Sequence, residues 1–164
     1  MRRGLSVLKS HDFQLAFLAL LILEGVKPAG RWEKTLAPGL RGELKSLGLA
    51  VGVVKRFAQS GLELEETLFA RVPERLQVYA ARFDRRVIDK SAATRRFEGD
   101  FFGYPSCCVE AFIQQPYAKN GLARKHQAIL FHWACPGCRA TTELFEDYKR
   151  LHRALVEIEF SPRG

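Results

Sequence analysis

The chain has little of what labile or covalently stapled proteins carry. One methionine and one asparagine, Asn120, occur in 164 residues, and depletion of such thermolabile residues marks proteins from hot sources. The four cysteines are too sparse for a disulfide scaffold, and a chain of this length buries a core without covalent help. A reducing cytoplasm is the expected setting, although hyperthermophiles also tolerate intracellular disulfides. Long apolar runs are absent too. The run Leu15 to Leu23 is far shorter than the roughly 20 residues a membrane helix needs. Asp12 separates it from Arg2 and Arg3, Glu24 closes it, and no small-x-small cleavage site follows, so it reads as a buried helix rather than a leader, with no membrane partner.

Several catalytic patterns are missing as well. There is no G-x-x-x-x-G-K-[ST] phosphate loop, no G-x-S-x-G elbow and no H-x-E of zinc deaminases. Trp133 to Cys138 has the look of a thioredoxin redox segment, but that motif follows an early strand and precedes more than the one helix left here. No enzyme class is selected.

What is present is a concentration of thiols. The cysteines form two tight pairs, Cys107-Cys108 and Cys135-Pro136-Gly137-Cys138, with His132 three residues ahead of the second. A C-x2-C turn lets two sulfurs reach one ion about 2.3 Å away without strain. One sulfur of the first pair would complete a Cys3His zinc site with Cys135, Cys138 and His132; both Cys107 and Cys108 with Cys135 and Cys138 would suit an iron-sulfur cluster. The redox alternative is a dithiol/disulfide oxidoreductase using Cys135 and Cys138, and the plain one a structural zinc domain for protein binding. Cys107 and Cys108 fall in the first turn of an expected helix, where the dipole should lower thiol pKa values.

Charge is the second signal. Net charge is +8, and Arg82 to Arg96 holds six bases against two acids. Leu76, Tyr79, Ala80, Phe83 and Val87 form an apolar stripe from Pro73 onward, with Arg75, Arg82, Arg85 and Arg86 gathered away from it on one helix face. With Arg95 and Arg96 just ahead of the cysteines, these arginines are the candidate contacts to RNA or another polyanion, and Phe97, Phe101, Phe102 and Tyr104 could stack on bases.

The coarse pattern predicts an α+β fold, mostly helical, in a single domain of two lobes: residues 1–96 with a two- or three-stranded sheet, and a helical, Cys-rich lobe over 97–164. Ser10 caps the apolar helix Phe13 to Leu23, and Gly25 stops it. A Gly/Pro connection leads to a helix at Leu40 to Leu47, then strands Leu49 to Val54 and Thr67 to Val72 around Gln59-Ser60-Gly61. Lys90 to Arg96 reads as a connection and Phe97 to Tyr104 as a packed loop. Helices follow from Pro105 to Pro116, from about Leu122 to Trp133, and from the C-x2-C turn to about Glu159.

Phe101-Phe-Gly-Tyr-Pro-Ser-Cys-Cys-Val-Glu-Ala-Phe112, His132-Trp-Ala-Cys-Pro-Gly-Cys138 and the helix after it resemble an archaeal domain-of-unknown-function family marked by Gly-Tyr-Pro-x-Cys-Cys. The resemblance covers roughly Phe97 to Leu155. It implies an intracellular archaeal protein and one shared site for the two cysteine pairs, and it brings no activity with it.

Overall fold

The computed structural model describes residues 1–158. The chain divides into two compact units, residues 1–89 with the chain end from Ala154, and residues 90–153.

The first unit is built around a sheet. After α1 (Arg2–His11), Asp12 turns the chain and accepts from the amides of Gln14 (2.8 Å) and Leu15 (3.3 Å), capping α2 (Phe13–Leu23). Ser10, the cap expected from sequence, lies instead inside α1, where its hydroxyl donates to the carbonyl of Val7. Leu15 to Ile22 are all buried, as a helix apolar on every side requires. The helix ends just before Gly25, whose φ of 75° is a left-handed conformation that glycine adopts at least cost. Among the described residues no helix is long and apolar enough to cross a membrane.

The α+β class holds, and the sheet has four strands rather than two or three. β1 (Ala29–Trp32), α3 (Pro38–Ser46), β2 (Ala50–Phe57), β3 (Glu63–Ala70), α4 (Pro73–Phe83) and β4 (Arg86–Val87) follow in chain order. The strand order is β1-β3-β2-β4, antiparallel except for the short parallel β2–β4 pair. The β2–β3 hairpin turns at Gln59-Ser60-Gly61, closed by the Ala58 amide on the Leu62 carbonyl (2.8 Å). Gly30 faces α2 so closely that a Cβ would meet Leu18, while Gly52 lies against Leu76 of α4. The sheet is therefore covered by α2 on one face and α4 on the other. On the α4 face, Arg56 and Glu66 are buried together, and the Tyr79 hydroxyl donates to Glu66 (3.4 Å) and accepts from Arg31 (2.9 Å).

The second unit is helical. It contains α5 (Ala92–Phe101), α6 (Ser106–Gln114), the single turn α7 (Arg124–Gln127) and α8 (Arg139–Val156), whose last turn belongs to the first unit. Two sequence expectations fail here. Residues 92–101 form a helix capped by Ser91, which accepts from the Thr94 amide, rather than a connection and a loop. The helix expected over Leu122 to Trp133 shrinks to four residues, and the chain after it is held by side chains, Asn120 on the Ala134 carbonyl and Gln127 on the His132 carbonyl. The expected end of the last helix at Glu159 lies outside the described residues.

Candidate metal centre

Two backbone devices bring the cysteines together. In α6, the Pro105 carbonyl accepts from the amides of Cys108 (2.9 Å) and Val109 (3.0 Å), placing Cys107 and Cys108 in the first turn. α6 lies against α5 through Gly99, where a Cβ would collide with Val109, and through a two-pronged ion pair from Arg96 to Glu110 (2.6 and 2.8 Å). Across from it, Gly137 at φ 64° lets the chain reverse between Cys135 and Cys138, and α8 starts immediately afterward.

The loop before Cys135 is held by the chain's single asparagine. Asn120 donates to the Ala134 carbonyl (3.0 Å) and to Gln127 Oε1 (2.8 Å), and accepts from the Leu122 amide (3.0 Å). Gln127 donates in turn to the His132 carbonyl (2.8 Å), and Trp133 Nε1 donates to the Ala118 carbonyl (2.8 Å).

All four sulfurs lie within 4.8 Å of one another. Cys108 Sγ is 3.3 Å from Cys138 Sγ and 3.8 Å from Cys135 Sγ, and Cys107 Sγ is 3.5 Å from Cys138 Sγ. No pair is bonded as a disulfide. The two cysteine pairs are thus one cluster at metal-binding distance, with Cys108 and Cys138 buried and Cys107 exposed.

His132 does not join the sulfurs. It is buried with Nε2 3.0 Å from Thr141 Oγ1, and that hydroxyl lies 3.5 Å from Cys108 Sγ, so the histidine stands one group behind the cluster. His132 was expected as a donor because H-x2-C-x2-C is compact in sequence. Once the C-x2-C turn is made, the first turn of α8 inserts Thr141 between imidazole and sulfur. Thr141 and the amide of Cys135 complete the surroundings: the Thr141 amide donates to Cys138 Sγ and the Cys135 amide to Cys108 Sγ, both at 3.3 Å.

Burial opposes ionisation at Cys108, Cys135 and Cys138, and the neighbouring groups decide how far each thiol moves. Burial pushes the Cys108 thiol up rather than down, correcting the expectation from its place in a first turn. Burial and the neighbouring thiols raise Cys135 further. At Cys138 burial acts in the same direction, but the hydroxyl and amide of Thr141 and the thiols of Cys108 and Cys107 outweigh it and bring the thiol down to about 7.

The arginines do not form one helix face. α4 carries Arg75 and Arg82 but ends at Phe83. Asp84 then accepts from the Lys55 amide (2.9 Å), Arg85 takes a φ of 55°, and Arg86 pairs with Arg56 in β4. Val87, expected on the apolar stripe, is exposed in that strand. In the second unit the Arg95 guanidinium covers the Phe112 ring (5.2 Å) and Arg96 is held by Glu110. Phe101 and Phe102 are buried core residues.

Fold and cluster together define an α+β protein with a four-cysteine candidate metal centre. Compared with protein-family models, curated proteins and solved structures, the chain has no match.

Proposed function

We propose that Cys107, Cys108, Cys135 and Cys138 hold one zinc ion as thiolates, and that the ion is structural. The observation that carries this reading is the closeness of all four sulfurs, within 4.8 Å of one another. Tetrahedral ligands on bonds of about 2.3 Å stand about 3.8 Å apart, close to the 3.5, 3.8 and 3.3 Å of the Cys107–Cys138, Cys108–Cys135 and Cys108–Cys138 pairs. A four-iron cluster carries each thiolate on a different iron, which adds a metal–metal separation between the sulfurs and spreads them further. Backbone amides aimed at two sulfurs support the charged thiolates as outer partners do at metal sites. Four protein ligands close the tetrahedron and leave no position for a water or substrate, the arrangement of structural zinc.

A second reading, the dithiol oxidoreductase, is favoured by the unbonded Cys135 and Cys138 sulfurs lying within 4.8 Å of each other, with the Cys138 thiol shifted below and the Cys135 thiol above the ordinary value.

Elemental analysis and absorption spectra of anaerobically purified protein separate these readings. One zinc per chain without visible colour is expected. Cys135→Ser should lose the metal and melt at a lower temperature, because ligand-binding energy is folding energy. His132→Gln should keep the metal, since a residue behind Thr141 tunes the site without bonding to the ion. Iron with inorganic sulfide would replace zinc by a cluster. Metal-free protein with a reversible Cys135–Cys138 disulfide and an unchanged melting point in Cys135→Ser would establish the redox reading.

A further inference from the structure

We propose that residues 90–153 carry a binding platform for single-stranded nucleic acid, formed by the aromatic row Phe112, Tyr117 and Trp133 with Arg95 at one end. The row is continuous: the Arg95 guanidinium lies over Phe112, Phe112 meets Tyr117 edge to face with centroids 5.0 Å apart, and Tyr117 meets Trp133 in the same way at 5.5 Å. Its central ring is not core, for Tyr117 is 69% exposed. Tyr117 is also held at φ 60°, a conformation that a residue with a side chain adopts at a cost and that concentrates at functional sites. Its neighbours are anchored, Trp133 by its bond to the Ala118 carbonyl and Phe112 on α6.

Charge decides the occupant. From Ala111 to Thr142 the chain has no Asp or Glu, while Lys119, Arg124, Lys125 and Arg139 are all exposed. The last acid before this stretch, Glu110, is taken by Arg96. An exposed Tyr117 ring flanked by the half-buried Phe112 and Trp133 within an acid-free basic segment fits bases and phosphates together, and stacking needs bases not already stacked in a duplex. The platform rests on the zinc reading in one respect. Phe112 lies one helical turn beyond Cys108, and Trp133 two residues before Cys135, so an ion joining those cysteines would fix the width of the row.

The test titrates the full chain, with zinc measured on every sample, against labelled oligo-uridine, oligo-deoxythymidine and a duplex of equal length. Single strands should bind more tightly than duplex. Tyr117→Ala should weaken them about 10-fold or more, and Tyr117→Phe should restore binding. Lys119→Gln with Lys125→Gln should flatten the salt dependence. In a Trp32→Phe background, the remaining tryptophan, Trp133, should be quenched by oligonucleotide, which checks the site even if Tyr117→Ala loses its metal. Equal affinity for duplex and single strand, no effect of Tyr117→Ala in zinc-loaded protein, or no quenching would overturn the platform and leave the zinc reading standing. Tyr117-dependent binding by protein holding no zinc would do the reverse.

Discussion

Lys27 is where burial and charge conflict most directly. It is 2% exposed, and burial lowers its ammonium from the ordinary 10.5 to about 7. In the unfolded chain the proton stays on until the higher value, so between the two the unfolded state holds the extra proton and stability rises with pH. Below about pH 7 both states carry the proton and this pH dependence levels off. The stability of the parent relative to Lys27→Met, similar in length and uncharged, should therefore rise between about pH 7 and pH 10. Denaturant titrations at several pH values measure this, and a parent-to-variant difference that stays flat from pH 6 to pH 10 would show that burial does not lower the Lys27 ammonium. Nothing in the sequence marks Lys27, which sits in an apparent Gly/Pro connection. The cysteines are the opposite case. Thiol ligation demands particular residue types at short spacing, so the cluster is visible before folding, whereas Thr141 and Asn120 acquire their roles only when α8 and the loop at 117–127 bring them against Cys138 and Ala134.

At the scale of elements, regular periodicity was a good guide where burial is one-sided or complete, as in α2 and the β2–β3 hairpin. It failed where side chains rewrite the backbone. Leu122, His126, Ile129, Leu130 and Trp133 keep helical spacing, yet the helix lasts one turn, Gln127 binds the His132 carbonyl in the loop beyond it, and His126 packs edge-on to Phe145. β4 was illegible because two residues carry no period; the amides of Arg85 and Ile88 on the Lys55 and Phe57 carbonyls hold it to β2, and Asp84 ties the end of α4 to the same strand. α5 was hidden by its glycine, Gly99, which reads as a loop residue in sequence and is a packing residue in the structure. A Cβ there would strike Val109 of α6, so Gly99→Ala should destabilise the second unit by about 1–3 kcal/mol. Val109→Ala added to it should recover part of the loss, a coupling that thermal melts of the four-member cycle would expose. Additive losses would mean that α5 and α6 do not meet as closely as Gly99 implies.

For the whole molecule, the two units differ in what sustains them. The first has a sheet covered on both faces, with Leu15 to Ile22 of α2 and Leu68 to Ala70 of β3 buried. Residues 90–153 have helices α5, α6 and most of α8 with a core drawn from Phe101, Phe102, Phe145, Tyr148 and Leu151. A unit of about 60 residues buries only about 60% of the surface its unfolded chain exposes, and small units commonly depend on a metal or another staple. In the zinc reading the ion joins α6 to the start of α8 across a span in which only α7 is helical, the point where an internal link contributes most to this unit. Removing it should act locally. Hydrogen exchange on the full chain after treatment with a zinc chelator should show protection falling across Cys107 to Phe145 while α2, β2 and β3 keep theirs. Equal loss in both units would mean that they unfold as one cooperative body, and unchanged protection around the cysteines would mean that the second unit stands on its packing alone.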